Sequence, residues 1–90
     1  MTPIFRVVNM ETWTNDRGRL VDLTDGEAFI MQWQKGMLGG FMNALALAMA
    51  RADPENLTRL ERSFPEEAQA MREWREGDLH SRLSDKGFLL

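Results

Sequence analysis

The sequence predicts a mainly α-helical α+β fold, in which an N-terminal β-hairpin or extended segment precedes three to four short helices in a small bundle. Three observations lead to this prediction: β-branched and aromatic residues near the N-terminus, helix-capping signals that begin at Thr24, and apolar residues at helical spacing beyond it. Because two domains would each be too small for a core, the 90 residues are expected to form one. Its predicted parts are the hairpin over 1–23, a helical core over 24–77 and a C-terminal tail over 78–90.

The first 23 residues carry the signals of a β-hairpin. Residues Ile4–Met10 are rich in β-branched and aromatic side chains, which favour a strand. The segment Asn15–Gly18 is typical of a turn, because glycine adopts a positive φ without steric cost. We therefore expect Arg19–Leu23 to be the returning strand, with Trp13 near the end of the hairpin.

The first helix is predicted to run from about residue 25 to residue 35. Thr24 and Glu27 have the spacing of a capping box, in which each side chain accepts a hydrogen bond from the other residue's backbone N–H. Three glycines within residues 36–40 predict a kink or a break, since each costs about 1 kcal/mol in a helix interior.

Beyond this break, the central segment is apolar around most of a helical circumference. One row, read every fourth residue, consists of small residues: Gly36, Gly40, Ala44, Ala48 and Ala52. The adjacent row consists of large ones: Met37, Phe41, Leu45 and Met49. Residues four apart lie above one another on a helix, so one side permits close approach of another backbone and its neighbour supplies large apolar side chains.

Proline marks the start of two further helices. Asp53-Pro54 combines an N-cap residue with a residue suited to the first helical position. Phe64-Pro65 repeats this signal, and Gly77 is a typical helix end. The tail beyond Gly77 is expected to form one more short helix followed by an apolar terminus.

Composition excludes several classes of site. The chain has 11 basic and 14 acidic residues, a net charge of −3, no cysteine and one histidine. Cysteine chemistry and multi-histidine metal sites within one chain are therefore excluded, and the acidic balance argues against direct DNA binding. Because no pair of a nucleophile and a base can be named, we predict a protein that is not an enzyme and that binds no cofactor or metal.

The sequence carries no signal for a membrane. The N-terminus lacks a basic stretch followed by a long apolar run, which a secretory signal requires. The most apolar window, Gly36–Ala50, has 15 residues, fewer than the ~20 of a membrane span. We therefore expect no membrane association and a cytoplasmic location.

The central segment has more apolar surface than one small chain easily buries. Leaving a second face exposed would sacrifice roughly several kcal/mol at ~25 cal/mol per Å², so we predict a homo-oligomer, with a twofold dimer as the first form to test. The predicted interface residues are Met37, Gly40, Phe41, Ala44, Leu45, Ala48 and Met49. Contact through residues 88–90, or burial of the central helix within one monomer, are the alternatives.

A second group of residues is a candidate site for a partner protein or a ligand. Its members are Arg51, Arg59, Arg62, Trp33 and Trp74. The arginines flank a junction between two helices, where they can converge on a phosphorylated ligand or an acidic partner. Pairing with Glu55 and Glu61 on the helix surface is the alternative, and the tryptophans are otherwise core or interface anchors.

Two further features have structural interpretations. One imidazole beside scattered carboxylates does not make a metal site, so we interpret His80 as a surface or capping residue. Glu66 and Glu67 fall in the first turn of a predicted helix, where the helix dipole explains them without a catalytic role.

Part of the chain resembles a group of small, mostly uncharacterised phage and prophage proteins. The residues that carry the resemblance are Trp33, Gly40–Leu45, Ala52–Leu57 and Leu60–Glu67. The resemblance covers residues ~29–70, and its motifs are helix caps and packing positions. It implies a helical fold and a viral origin, and it brings no catalytic residue.

A viral origin makes a binding function the leading hypothesis. We expect a phage accessory protein that binds and inhibits a host protein or protein complex in the host cytoplasm, such as a CRISPR interference system. One alternative is an oligomer that sequesters a nucleotide signalling ligand through the arginines and a tryptophan. Another alternative is a structural virion or assembly component.

Overall fold

The computed structural model describes residues 10–90, which form two strands and five helices. Strand β1 (Met10–Thr14) pairs antiparallel with β2 (Leu20–Thr24), and Trp13 lies opposite Val21. The predicted hairpin is confirmed. Its expected first strand, Ile4–Met10, falls outside the described residues except for Met10, which begins β1.

The connection between the strands is the predicted turn. Gly18 has a φ of 79°, the left-handed conformation that favours glycine. The side chain of Asn15, which is 8% exposed, accepts hydrogen bonds from the N–H groups of Arg17 and Arg19, each at 2.9 Å. The turn is therefore fixed by its own first residue.

Helix α1 (Asp25–Gln34) begins at the predicted capping box. The Thr24 hydroxyl accepts from the Glu27 N–H at 3.1 Å, and the Glu27 carboxylate accepts from the Thr24 N–H at 2.9 Å. The helix ends before Gly36, which has a φ of 69°. The predicted break over residues 36–40 thus separates α1 from the next helix.

Helices α2 (Gly40–Arg51) and α3 (Pro54–Glu61) meet at a two-residue junction. The Asp53 side chain caps α3 by accepting from the Asn56 N–H at 2.8 Å. Ala52 and Asp53, both in an extended conformation, interrupt the helix between them.

Helices α4 (Pro65–Glu76) and α5 (Asp78–Asp85) are separated by Gly77 alone, at a φ of 93°. The predicted number of three to four helices was too low: among residues 10–90 there are five. Very short breaks explain the difference, since a single left-handed glycine or a two-residue junction is enough to begin a new helix.

The core lies between α1 and α4, which make the most extensive helix–helix contact. Gly26 allows this approach, because a Cβ atom there would lie 2.7 Å from the Glu66 carbonyl oxygen and 2.8 Å from the Ala70 Cβ. The remaining helices and β2 complete the core from the sides. Its fully buried large side chains are Leu23, Ile30, Met31, Met49, Met71, Leu79 and Leu83.

The C-terminal segment packs against the hairpin turn. The Asn15 Nδ2 donates to the Lys86 carbonyl at 2.8 Å, the Asp16 N–H donates to the Gly87 carbonyl at 3.1 Å, and the Leu89 N–H donates to the Asp16 carboxylate at 2.6 Å. We call residues 86–89, together with the turn residues that they contact, the C-terminal clasp. Phe88 is 2% exposed within it, so the alternative that placed residue 88 in an intermolecular contact is corrected.

Candidate functional site

One half of α2 faces solvent although most of its residues are apolar. Phe41 is 69% exposed and Leu47 is 42% exposed, and Met37 in the preceding connection is 54% exposed. We call this surface the α2 face. Its residues are Met37, Gly40, Phe41, Asn43, Ala44, Leu47, Ala48 and Arg51, of which Asn43 and Arg51 are polar.

The opposite half of α2 belongs to the core of the same molecule. Leu45 is 7% exposed and Met49 is fully buried, so their assignment to an interface between copies is corrected. A row of residues four apart drifts by about 40° per step around a helix with 3.6 residues per turn. The row that is exposed at Phe41, in the first turn of α2, therefore turns into the core at Leu45 and Met49.

The same drift brings Leu47, which the sequence did not assign to the interface, onto the exposed side of α2. Leu47 belongs to a row with Asn43 and Arg51, whose polar members suggest a solvated side. In the structure this row borders the exposed small residues, and Leu47 adds a large side chain to the α2 face. The polar residues of its row, Asn43 and Arg51, gave no reason to expect a large apolar side chain on this surface.

The exposed Phe41 ring packs against a second aromatic ring, that of Phe64. The centroids of Phe41 and Phe64 are 6.1 Å apart at an interplanar angle of 50°, within the range of favourable aromatic pairs. Phe64 is the N-cap residue of α4 and is half-buried. The start of α4 thus holds the Phe41 ring on the surface in a defined position.

The two ends of α2 differ in their electrostatic environment. Its N-cap, Gly39, provides no side-chain hydrogen bond, and no acidic residue lies in the first turn. At the other end, the Arg75 Nη1 donates to the carbonyls of Ala52 at 2.8 Å and Met49 at 3.4 Å. The negative end of the helix dipole is therefore compensated, whereas at the positive end neither the N-cap nor the first turn of α2 supplies a compensating side chain.

The three candidate arginines are not brought together by direct contacts. Arg59 donates to Glu55 at 2.8 Å and to Asn56 at 3.3 Å, while Arg51 and Arg62 are exposed. Within residues 10–90, no hydrogen bond or ion pair joins these arginines to a common group. Glu61, the second acidic partner considered for them, pairs instead with Arg72 of α4.

The two candidate tryptophans do meet. Trp33 and Trp74 form an edge-to-face pair with ring centroids 6.3 Å apart. The centroid of the His80 ring lies 5.5 Å from that of Trp74. The His80 Nε2 lies 3.4 Å from the Leu90 carbonyl oxygen, which suits a surface residue. In the described part of the chain, neither tryptophan ring stacks on an arginine. The nucleotide-binding alternative therefore stays a prediction.

Glu27 and Glu67 are the carboxylates most affected by burial. Burial acts to raise the pKa of Glu27, but hydrogen bonds from the Thr24 N–H and from Lys86 outweigh it and hold the pKa below its ordinary value. Burial raises the pKa of Glu67, and the charges of Glu66 and Asp25 act in the same direction. Glu27 is therefore held ionised by its partners, whereas ionised Glu67 is disfavoured.

A cavity of about 570 Å³ lies beside the C-terminal clasp. Its lining residues are Asp16, Arg17, His80, Ser84, Gly87, Phe88, Leu89 and Leu90. Asp16 is engaged by Lys35 at 2.6 Å and by the Leu89 N–H, and these hydrogen bonds lower its pKa. Because its carboxylate already holds the clasp together, the cavity is weaker as a candidate site than the α2 face.

Comparison of the chain with protein-family models, with curated proteins and with solved structures gives no match. Across residues 10–90, every helix is too short or too polar to cross a lipid bilayer. The α2 face is therefore identified as the candidate site from its exposure and its apolar residues alone.

Proposed function

We propose that this protein is not an enzyme and that it functions by binding other proteins through the α2 face, in the first place a second copy of itself. The observation that carries the proposal is the exposure of Phe41, Leu47 and Met37 on one apolar helix surface. Burying a side chain of this size is worth roughly 1.5–3 kcal/mol. An isolated monomer forgoes this stabilisation and exposes an adhesive patch.

Glu27 and Asp16, the two carboxylates with a lowered pKa, have structural roles that need no catalytic explanation. The Glu27 carboxylate holds Lys86 at 3.0 Å and Arg82 at 3.4 Å, and Asp16 holds Lys35 and the Leu89 N–H. Each of these carboxylates is occupied in joining distant parts of the chain. Their altered pKa values are therefore explained by the fold itself.

The resemblance to small phage proteins suggests a biological setting. We propose a phage accessory protein that inhibits a host protein or complex in the host cytoplasm, such as a CRISPR interference system. In this proposal the α2 face builds the oligomer, while charged residues on the outer helices, among them Arg59 and Arg62, contact the target.

Ala44→Glu tests the self-association. Ala44 is exposed near the middle of α2, so the substitution places like charges in the contact without touching the core. We expect light scattering to give a mass above the monomer that rises with wild-type concentration up to about 1 mM, and a monomer for Ala44→Glu. The matched control is Gln69→Glu on the exposed side of α4. A wild type that stays monomeric throughout contradicts self-association.

The inhibitory role is tested in bacteria that carry a CRISPR interference system directed against a phage. We expect the wild-type protein and Gln69→Glu to restore plaque formation, and Ala44→Glu to restore it less. The absence of any rescue by the wild type, for every interference type challenged, contradicts this part of the proposal.

A further inference from the structure

Large and small residues are arranged symmetrically about Ala44 on the α2 face. Phe41 lies three residues before Ala44 and Leu47 three residues after it, while Gly40 and Ala48 lie four residues away on either side. At about 100° per residue, Phe41 and Leu47 fall on opposite flanks of the helix, each about 60° from Ala44. Both flanking side chains are exposed, at 69% and 42%.

We propose that two copies pair through the α2 face as an antiparallel twofold dimer, with Ala44 of each copy at the symmetry axis. This inference rests on the proposed function and specifies its partner and its geometry. In this arrangement Phe41 packs onto Ala48 of the second copy, and Leu47 packs onto Gly40 of the second copy. Both large side chains that α2 itself contributes to the face, Phe41 and Leu47, therefore meet a small one, as a twofold contact requires of a single surface.

Charge favours the antiparallel over the parallel arrangement. Arg51 is the charged residue at the C-terminal end of the α2 face, seven residues from Ala44. Antiparallel pairing separates the two copies of Arg51 by about 14 residues, roughly 21 Å along the helices and beyond the Debye length of ~8 Å at physiological salt. Parallel pairing would place them side by side, and would also align the two N-termini of α2.

The dimensions of the surface set the strength of the association. Helix α2 has 12 residues and is about 18 Å long, so its exposed half is smaller than the ~800 Å² per partner of a standard interface. We therefore expect a dimer that dissociates on dilution. A test that traps the contact covalently suits such a weak dimer better than one that depends on isolating it.

The chain contains no cysteine, so single cysteines report contacts without background from native thiols. A disulfide needs Cα atoms within about 7 Å. In the antiparallel dimer, Ala44→Cys meets itself across the axis. Gly40→Cys and Ala48→Cys each lie about 12 Å from their own copy along the axis. Each lies level with the other across the contact, offset sideways by only about 3 Å, a separation that a disulfide can span between closely packed helices. The Gly40 position accepts a side chain, since an added Cβ there has no heavy atom within 4 Å.

The experiment compares disulfide-linked dimer at equilibrium in a glutathione redox buffer. We expect Ala44→Cys to give at least about tenfold more dimer than Gln69→Cys, the collisional control on α4, corresponding to about 1.4 kcal/mol. We expect Gly40→Cys and Ala48→Cys to stay near the control separately and to link when mixed. Circular dichroism of each reduced variant confirms that it is folded.

Each other outcome overturns the inference. Self-linking of Gly40→Cys and of Ala48→Cys indicates parallel pairing, and leaves the proposed function intact. If all three variants link no more than the Gln69→Cys control, and light scattering gives a dimer mass, the contact lies elsewhere on the molecule. Background linking with a monomer mass overturns both the inference and the proposed self-association.

Discussion

At the scale of single residues, Glu27 shows how one buried carboxylate joins distant segments. It is 4% exposed and accepts hydrogen bonds from the Thr24 N–H at 2.9 Å, from Lys86 at 3.0 Å and from Arg82 at 3.4 Å. Thr24 begins α1, whereas Arg82 and Lys86 lie at the end of α5. The same side chain thus caps the first helix and holds the last one against it.

We expect Glu27→Gln to lower the free energy of unfolding at pH 7 by about 1.5–3 kcal/mol, the usual contribution of a hydrogen bond to a charged group. The amide keeps the size of the side chain and one acceptor for the Thr24 N–H, but it loses the charge that holds Lys86 and Arg82. Urea denaturation followed by tryptophan fluorescence measures the change. Glu11→Gln, on the exposed surface of β1, is the control, and an equal effect of the two substitutions contradicts the prediction.

The same carboxylate gives the stability a pH dependence. Because the folded-state pKa of Glu27 lies below its ordinary value of 4.5, its contribution is complete above that pH and is lost as the pH falls through the folded-state pKa. The lowered pKa of Asp16 acts in the same direction. We expect the unfolding free energy to fall between about pH 5 and pH 3, and to fall less for Glu27→Gln. Parallel pH profiles for the two proteins would rule out this role.

The raised pKa of Glu67 predicts that its substitution increases the free energy of unfolding, the opposite of the effect expected for Glu27. Its pKa is raised above 4.5, so ionisation costs stability as the pH rises through the unfolded-state value, and its Oε2 is buried without a hydrogen-bond partner among the described residues. We expect Glu67→Gln to raise the free energy of unfolding at pH 7 by up to about 1 kcal/mol, and to lose this effect at low pH. Glu76→Gln on the same helix is the control. A clear loss of stability at pH 7 would contradict the prediction.

At the scale of elements, α2 depends on a residue outside its own sequence. The Arg75 guanidinium, on α4, donates to the carbonyls of Ala52 and Met49 at the end of α2. We expect Arg75→Met, which keeps an apolar stem, to lower the free energy of unfolding by about 0.5–1 kcal/mol, since a cation at a helix C-terminus is worth that much. Arg75→Lys should retain part of the stabilisation. Thermal unfolding measures both, and an Arg75→Met variant as stable as the wild type contradicts the capping role.

The elements themselves were largely predictable because their boundaries are determined locally. The capping box at Thr24, the cap at Asp53 and the left-handed Gly77 act within one turn of the chain, and each lies where the sequence indicates. Asn43 and Arg51 indicate the solvent side of α2, but how far the core extends around the helix was not predictable. It depends on how α1 and α4 pack against α2, and the sequence of α2 is apolar on both sides. Met49, predicted at an interface between copies, therefore lies in the core, and Leu47, which was not assigned to the interface, is exposed.

At the scale of the whole molecule, the C-terminal clasp connects the hairpin to the helices. A two-stranded hairpin alone is marginally stable in water. Here the buried Asn15 side chain donates to the Lys86 carbonyl, and Gly87 lies so close that a Cβ atom at this position would come within 2.3 Å of the Asn15 Nδ2. The hairpin, the last helix and the core are thus stabilised together.

We expect Phe88→Ala to disturb all these parts at once. The Phe88 ring is 2% exposed in the core cluster, and Phe-to-Ala substitutions at such positions cost about 3–5 kcal/mol. A domain of this size has a total stability of only about 5–15 kcal/mol. We therefore expect a large fall in the urea midpoint, together with faster amide hydrogen exchange in β1 and β2, because the clasp holds the hairpin turn.

Leu89→Ala separates this effect from a general sensitivity of the C-terminal segment. Leu89 is the next residue along the chain but is 81% exposed, so we expect its substitution to change the free energy of unfolding by less than about 0.5 kcal/mol. Its N–H bond to Asp16 comes from the backbone and survives the change. If the two variants were equally stable, Phe88 would not belong to the core, and the hairpin would need another source of stability.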